Sequence, residues 1–206
     1  MLGGDLTVQL VVLRLFAGLL LVTVHGAVIA AAAVLLGDKG PRYDRRLTVL
    51  PFGHVDLVGL GSIMLSGFGW SKPVAIETAQ LRFGRWGLVI VVLVGSVVLL
   101  ALAYLILLLV IPALTLLPYT AGLTIAAFAR VAARLSVWMA LLALVPVPPL
   151  AGAHLLAAVG IRLPPATGVV IGWVLLVASL LGITRLVLMP VYEIIAPLLL
   201  GAELAR

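Results

Sequence analysis

Cysteine is absent from all 206 residues, which removes disulfides, thiolate metal sites and cysteine nucleophiles at once. Charge is scarce too. Asp, Glu, Lys and Arg make up 10% of the chain, against about a quarter in a soluble domain. Hydrophobic residues reach 65% and the mean hydropathy is +1.36, so too few polar side chains exist to cover a soluble core. No glycine-rich phosphate loop is present. The net charge of +6 is spread over short loops, which suits contact with lipid head groups and excludes a nucleic-acid partner. The first residues, MLGGDLTVQL, hold an acidic residue and no basic run, and the apolar stretch behind them is too long for a signal peptide. That first segment is expected to stay in the mature protein.

What the chain does have is long apolar runs, and these predict an all-α integral membrane protein of about four to six membrane segments. Residues 8–36 are interrupted only by Arg14 and His25 and would extend about 43 Å as a helix; Arg14 is placed to snorkel to one interface. A basic loop, GDKGPRYDRR (residues 37–46), follows. Residues 49–70 are apolar but carry Pro51, five glycines, His54 and Asp56, which predicts an irregular or re-entrant start and then a short span. The stretch SKPVAIETAQLRFGRW reads as an extended loop or hairpin. Residues 87–117 form the cleanest run, with Pro112 and Pro118 set to kink or end it. Another helix is expected over 121–145, with Arg130 and Arg134 on one face. The prolines of VPVPPLAGAH (145–154) stop it. A last span is placed at 166–188, and the tail, 191–206, is amphipathic enough to lie on the membrane surface. No linker or internal repeat is evident, so 1–206 reads as a single membrane domain with its core at about 8–160.

Orientation depends on residues 49–70. Four Lys/Arg lie in loop 37–46 and three in loop 72–85. A single span between them separates the two basic loops; a re-entrant segment keeps them on one side.

Four phrases, in order, resemble the bacterial branch of the site-2 protease family, the intramembrane zinc metalloproteases. VHGAVIAAAAVLLGD followed by RRLTVLPFGHVD is similar to that family's H-E-x-x-H helix and the H-I-D-like phrase behind it. SGFGWSKPVAI (66–76) is similar to its G-F-G-W-A-K-P-V-P-V loop, and ALVPVPPLAGAHLL (143–156) to its N-L-L-P-I-P-P-L-D-G-G-R motif. The resemblance covers about residues 20–156. It implies a site-2-protease-like core in a bacterial cytoplasmic (inner) membrane.

The departures fall on the chemistry. His25 keeps the first ligand position, but Gly26 stands at the general-base glutamate and Ile29 at the second histidine. Ala151 stands at the third, aspartate, ligand, Ala143 at the asparagine before the prolines, and VGSVVL (94–99) lacks the Pro and Asn of A-G-P-x-x-N. A catalytic zinc needs three protein ligands and a water. One imidazole cannot supply a binding free energy on the order of 10 kcal/mol, and no base remains to deprotonate the water. No catalytic residue, metal or other cofactor is therefore expected, and the resemblance implies a pseudo-protease. Restoring Gly26→Glu, Ile29→His and Ala151→Asp together would then be expected to regain zinc.

Plain readings stand beside these. His25 reads as a neutral imidazole bonded to a backbone carbonyl. His54 and Asp56 read as braces of the turn after Pro51. A polar cluster of His25, His54, Asp56 and His154 is the alternative. The loop of Phe68, Trp70, Lys72, Pro73 and Val74 either grips a partner or anchors at the interface, with Trp70 in the aromatic belt and Lys72 at the head groups. Ser62, Ser66, Ser71, Ser96, Ser136 and Ser179 show no nucleophile-elbow pattern.

The first expectation is a catalytically inactive structural or regulatory subunit that packs against transmembrane helices of a hetero-oligomeric membrane complex. A diverged metalloprotease with a rebuilt metal site is the second. A small transporter or channel component is the third, weakened by few charged pairs and no inverted repeat.

Overall fold

The computed structural model describes residues 6–161 and 163–201. Thr7 opens the first helix, its hydroxyl accepting a hydrogen bond from Leu10 N at 3.2 Å, the usual role of a hydroxyl at a helix start. Helix α1 (Val8–Leu35) then runs for 28 residues, about 42 Å. A short α2 (Gly40–Tyr43) and a 3-10 turn at Pro51–Gly53 lead to α3 (Leu57–Ser66). Next come α4 (Arg85–Leu107), α5 (Val110–Leu116) and α6 (Tyr119–Ala143). The chain finishes with α7 (Ala153–Ala158), α8 (Pro165–Leu180) and α9 (Ile183–Leu200). No strand forms among the described residues. Among the described residues, four helical stretches are long and apolar enough to cross a membrane: Val8–Leu35, Arg85–Leu116, Tyr119–Ala143 and Ile183–Leu200. This is a polytopic helical membrane protein.

The prolines explain most of the breaks. Pro112 has no N–H for the carbonyl four residues earlier, and the helix opens there, at Leu108 and Leu109, between α4 and α5. Pro118 drives the preceding Leu117 into extended backbone (ψ 156°), and α6 starts immediately after.

Two boundaries differ from the expectation. The span placed at 166–188 is interrupted after Leu180, because Gly182 takes up left-handed backbone (φ 78°) that only glycine adopts freely. Of the tail placed on the surface at 191–206, residues 191–200 are instead the second half of α9. That helix tolerates Pro190 and Pro197 in its interior, as membrane helices do. One stripe of it, Leu188, Tyr192, Ala196 and Leu200, is buried in the main core. Residues 202–206 lie outside the described residues.

The chain leaves one end of the molecule after Leu36 and is back there at Arg82, so segment 49–70 turns back inside the bundle. Helix α3 has ten residues, about 15 Å, half of a hydrocarbon core of about 30 Å. It descends alongside α1 until Arg14 Nη1 donates to Met64 O (3.4 Å) and Leu65 O (3.0 Å). The chain then returns past Gly69. A single antiparallel bridge, Val55 to Ser71, joins the two limbs, in place of the hairpin considered for 71–86. Gly59 and Gly69 allow the limbs to touch backbone to backbone: a Cβ at Gly59 would overlap Trp70 O, and one at Gly69 would overlap Gly59 O.

The return ends where it began. Arg82 N donates to Leu36 O (2.8 Å). The buried Asp38 carboxylate accepts from Gly40 N (2.8 Å) through Oδ1 and from Glu77 N (2.8 Å) through Oδ2. Loop 37–46 and the later part of loop 72–85, from Glu77 through Arg82, therefore share one end of the bundle.

Candidate functional site

His25, Gly26 and Ile29 lie on the buried side of α1. His25 Nδ1 shares a hydrogen bond with Ser71 Oγ at 2.9 Å, a side-chain hydroxyl where a backbone carbonyl was expected. Its Nε2 faces Gly95 of α4, where an added Cβ would stand 3.1 Å away, and has no partner among the described residues. Ile29 packs at the same glycine and belongs to an apolar cluster with Ala33, Val74 and Val91, against which Ala151 also packs. Positions 29 and 151 thus border the same apolar cluster. Ala143 is buried at the last turn of α6.

His54 is the residue that the sequence undervalued. Its buried ring lies across Gly26, so close that a Cβ at position 26 would overlap Nδ1. Nε2–H donates to Thr48 O at 2.9 Å, which leaves Nδ1 as the unprotonated nitrogen, without a partner among the described residues. The room that a longer side chain at 26 would need is taken by imidazole.

Of the four residues considered as a polar cluster, Asp56 and His154 are bonded elsewhere. Asp56 Oδ1 accepts from Gly59 N (2.8 Å) and caps α3. His154 Nε2–H donates to Val74 O at 3.1 Å. Among the described residues no three His, Asp or Glu side chains are grouped to hold a metal ion. The Ser71–His25 pair is a serine–histidine contact that sequence patterns missed, since the two lie 46 residues apart. Both are buried and neither lines the groove described next, so the contact serves to satisfy the buried imidazole.

The loop considered for partner binding divides in two. Phe68 and Trp70 are core residues, not a gripping surface or a belt: Phe68 packs on Trp138 (ring centroids 4.9 Å apart), and Trp70 is 3% exposed. Val74 is buried as well, whereas Lys72, Pro73 and Ala75 are exposed. Ser71 is tied to His25 and Glu77 to Asp38, so six residues cover the rise of about ten helical ones, about 15 Å, which is more than six helical residues can span. Arg46 fixes this segment from behind. Its buried guanidinium donates to Gly53 O, to Lys72 O (2.6 Å) and to Pro73 O (3.2 Å). In front lies a groove of about 880 Å³, lined by Pro73, Ala75, Glu77, Pro148, His154 and Leu156 among others. Ala75 and Ile76 make no backbone hydrogen bond among the described residues. A stretch of backbone without hydrogen bonds among the described residues therefore borders the groove.

A Bacillus subtilis (strain 168) protein named "Putative zinc metalloprotease YwhC" is 33% identical over 82 residues. The likeness is partial. It takes in 40% of this chain, and the chain spans 37% of that relative's length. No family model matches the chain, and no solved structure matches it. What holds is an integral membrane protein with a distant likeness to a protein named as a zinc metalloprotease.

Two histidines outside the spans make stability depend on pH. Burial lowers the pKa of His154 below the ordinary 6.5, against a smaller raising effect of its bond to Val74 O. His54 is lowered by burial too, with the Thr48 bond opposing and the Arg46 charge assisting. Below 6.5 the unfolded chain binds protons that the folded one refuses, so stability is complete above that pH and falls as pH drops towards the folded values. Thermal unfolding in detergent is expected at a lower temperature at about pH 5 than at about pH 7.5. His154→Gln should flatten the slope, and a slope unchanged in that variant would remove His154 from the account.

Proposed function

We propose that this chain is a site-2-protease-like membrane protein without protease chemistry, which holds an extended segment of a membrane partner in the groove beside Ala75 and Ile76. The observation that carries the reading is the stretch at Ala75 and Ile76, which lines the groove and has no backbone hydrogen bond among the described residues. An extended peptide added to such a stretch gains main-chain hydrogen bonds, and alternate side chains fall into the pockets beside it. The groove mixes Leu156, Ile161 and Leu163 with Asp44 and Glu77, which favours a segment of apolar residues flanked by Lys or Arg. Cleavage is disfavoured by what stands around His25: Gly26 offers no base, and Ile29 and Ala151 offer no ligand. The basic loops sharing one end favour placing that end, and the mouth of the groove, in the cytoplasm.

Two measurements test the reading. Protein purified at neutral pH should carry far less than one zinc per chain; stoichiometric zinc that is lost in His25→Ala overturns the pseudo-protease and restores a metalloprotease. Mild-detergent purification should recover one membrane partner reproducibly. Ala75→Pro removes an N–H that bonds nothing among the described residues, so it should release that partner with the unfolding temperature unchanged. Full retention of the partner by Ala75→Pro counts against edge pairing.

A further inference from the structure

A second cavity lies on the far side of the bundle from the groove and is independent of it. It has a volume of about 240 Å³ and is walled by residues of α1, α3, α6 and α9. Three arginines from three different helices reach it: Arg14, Arg134 and Arg185. Ser66 adds a hydroxyl, and the stacked rings of Trp138 and Tyr192, 3.8 Å between centroids and 3° from parallel, form one wall. No acidic residue lines it among the described residues.

Its depth is informative. Arg14 stands 21 residues before Leu35, the end of α1 beside the basic loops, and 21 residues of helix rise about 31 Å. That is one hydrocarbon thickness. With the basic loops at one head-group layer, the three guanidinium groups stand at the opposite one. Arg14 is already oriented by Met64 O and Leu65 O, so part of the ordering cost of a binding site is met within the fold. Arg185, at the first turn of α9, is exposed and is the member a ligand can reach first. Guanidinium groups bind phosphate oxygens through paired N–H donors.

We propose that this cavity binds the phosphate of an anionic phospholipid head group, with Arg14 and Arg185 as its donors and the Trp138–Tyr192 stack as its apolar wall. The site lies away from His25 and stands or falls separately from the groove.

The test uses the delipidated full chain in a neutral detergent, titrated with phosphatidylglycerol, phosphatidylcholine or inorganic phosphate, and read by thermal unfolding and by native mass spectrometry. Phosphatidylglycerol is expected to raise the unfolding temperature and remain bound, and phosphatidylcholine to do neither. Arg185→Gln, at an exposed position where folding is not at stake, should weaken phosphatidylglycerol binding about tenfold or more; Arg185→Lys should recover part of that loss. Equal stabilisation by inorganic phosphate and by the lipid would overturn the lipid as the source. Phosphatidylglycerol binding unchanged in Arg185→Gln, or a co-purified acidic membrane helix lost in that variant, would overturn the site.

Discussion

Gly26→Ala is expected to destabilise the protein by about 1–3 kcal/mol, the range for overfilling a packed site. Alanine normally stabilises a helix interior by up to about 1 kcal/mol over glycine, so the sign itself is diagnostic. The cause is the His54 ring, which a Cβ at position 26 would overlap. In a His54→Ala background the same substitution should be neutral or stabilising, and thermal unfolding of the four proteins in the cycle reads the difference. An equal cost in both backgrounds would mean that His54 is not what excludes the side chain. The consequence for zinc is direct. Gly26→Glu, Ile29→His and Ala151→Asp, combined in the otherwise native chain, should still fail to bind stoichiometric metal, because the glutamate has no room. Adding His54→Ala supplies that room and is the variant expected to recover zinc. Failure of the fourfold variant would count against the inherited ligand geometry.

Arg46→Ala is the second large effect, expected at about 3 kcal/mol or more. A buried charge-assisted donor set contributes more than neutral hydrogen bonds, and its removal leaves part-buried carbonyls without their partner. Three carbonyls depend on it, at Gly53, Lys72 and Pro73. Arg46→Lys should not rescue, since one ammonium cannot reproduce a planar fork spread over two segments. Beyond the drop in unfolding temperature, segment 72–77 should become accessible to proteases, and partner retention should fall with it. A wild-type unfolding temperature in Arg46→Lys would show that charge alone, without fork geometry, holds the edge.

The long helices were legible because runs of apolar residues announce them, and Pro112 and Pro118 marked their breaks in advance. The turn at Gly182 was not, because one glycine inside a continuous apolar run carries no periodic signal. The burial of Phe68 and Trp70 was hidden for a related reason: an aromatic in a polar-flanked loop reads as an anchor until Trp138, 70 residues on, is found against it. His54 was visible as a histidine, but its place over Gly26 is a long-range contact that spacing does not encode. The arginine cavity shows the same limit. Helical spacing paired Arg130 with Arg134, yet only Arg134 lines the cavity, and its companions come from α1 and α9.

The limb that returns from α3 also constrains how the protein is made. Residues 67–77 are non-helical backbone at membrane depth, which is tolerated only under protein cover. That cover comes from Trp138 on α6 against Phe68, from His154 on Val74 O, and from α8, where Gly172 lies beside Trp70. All of it is synthesised 70 to 100 residues later. During translation, α1 can enter the bilayer on its own hydropathy, but the limb behind it has no finished place to go. It must wait at the interface or beside the insertion machinery until α6 and α8 have emerged, so a chain stopped before residue 172 should hold a nascent, protease-sensitive loop where the complete protein has its groove.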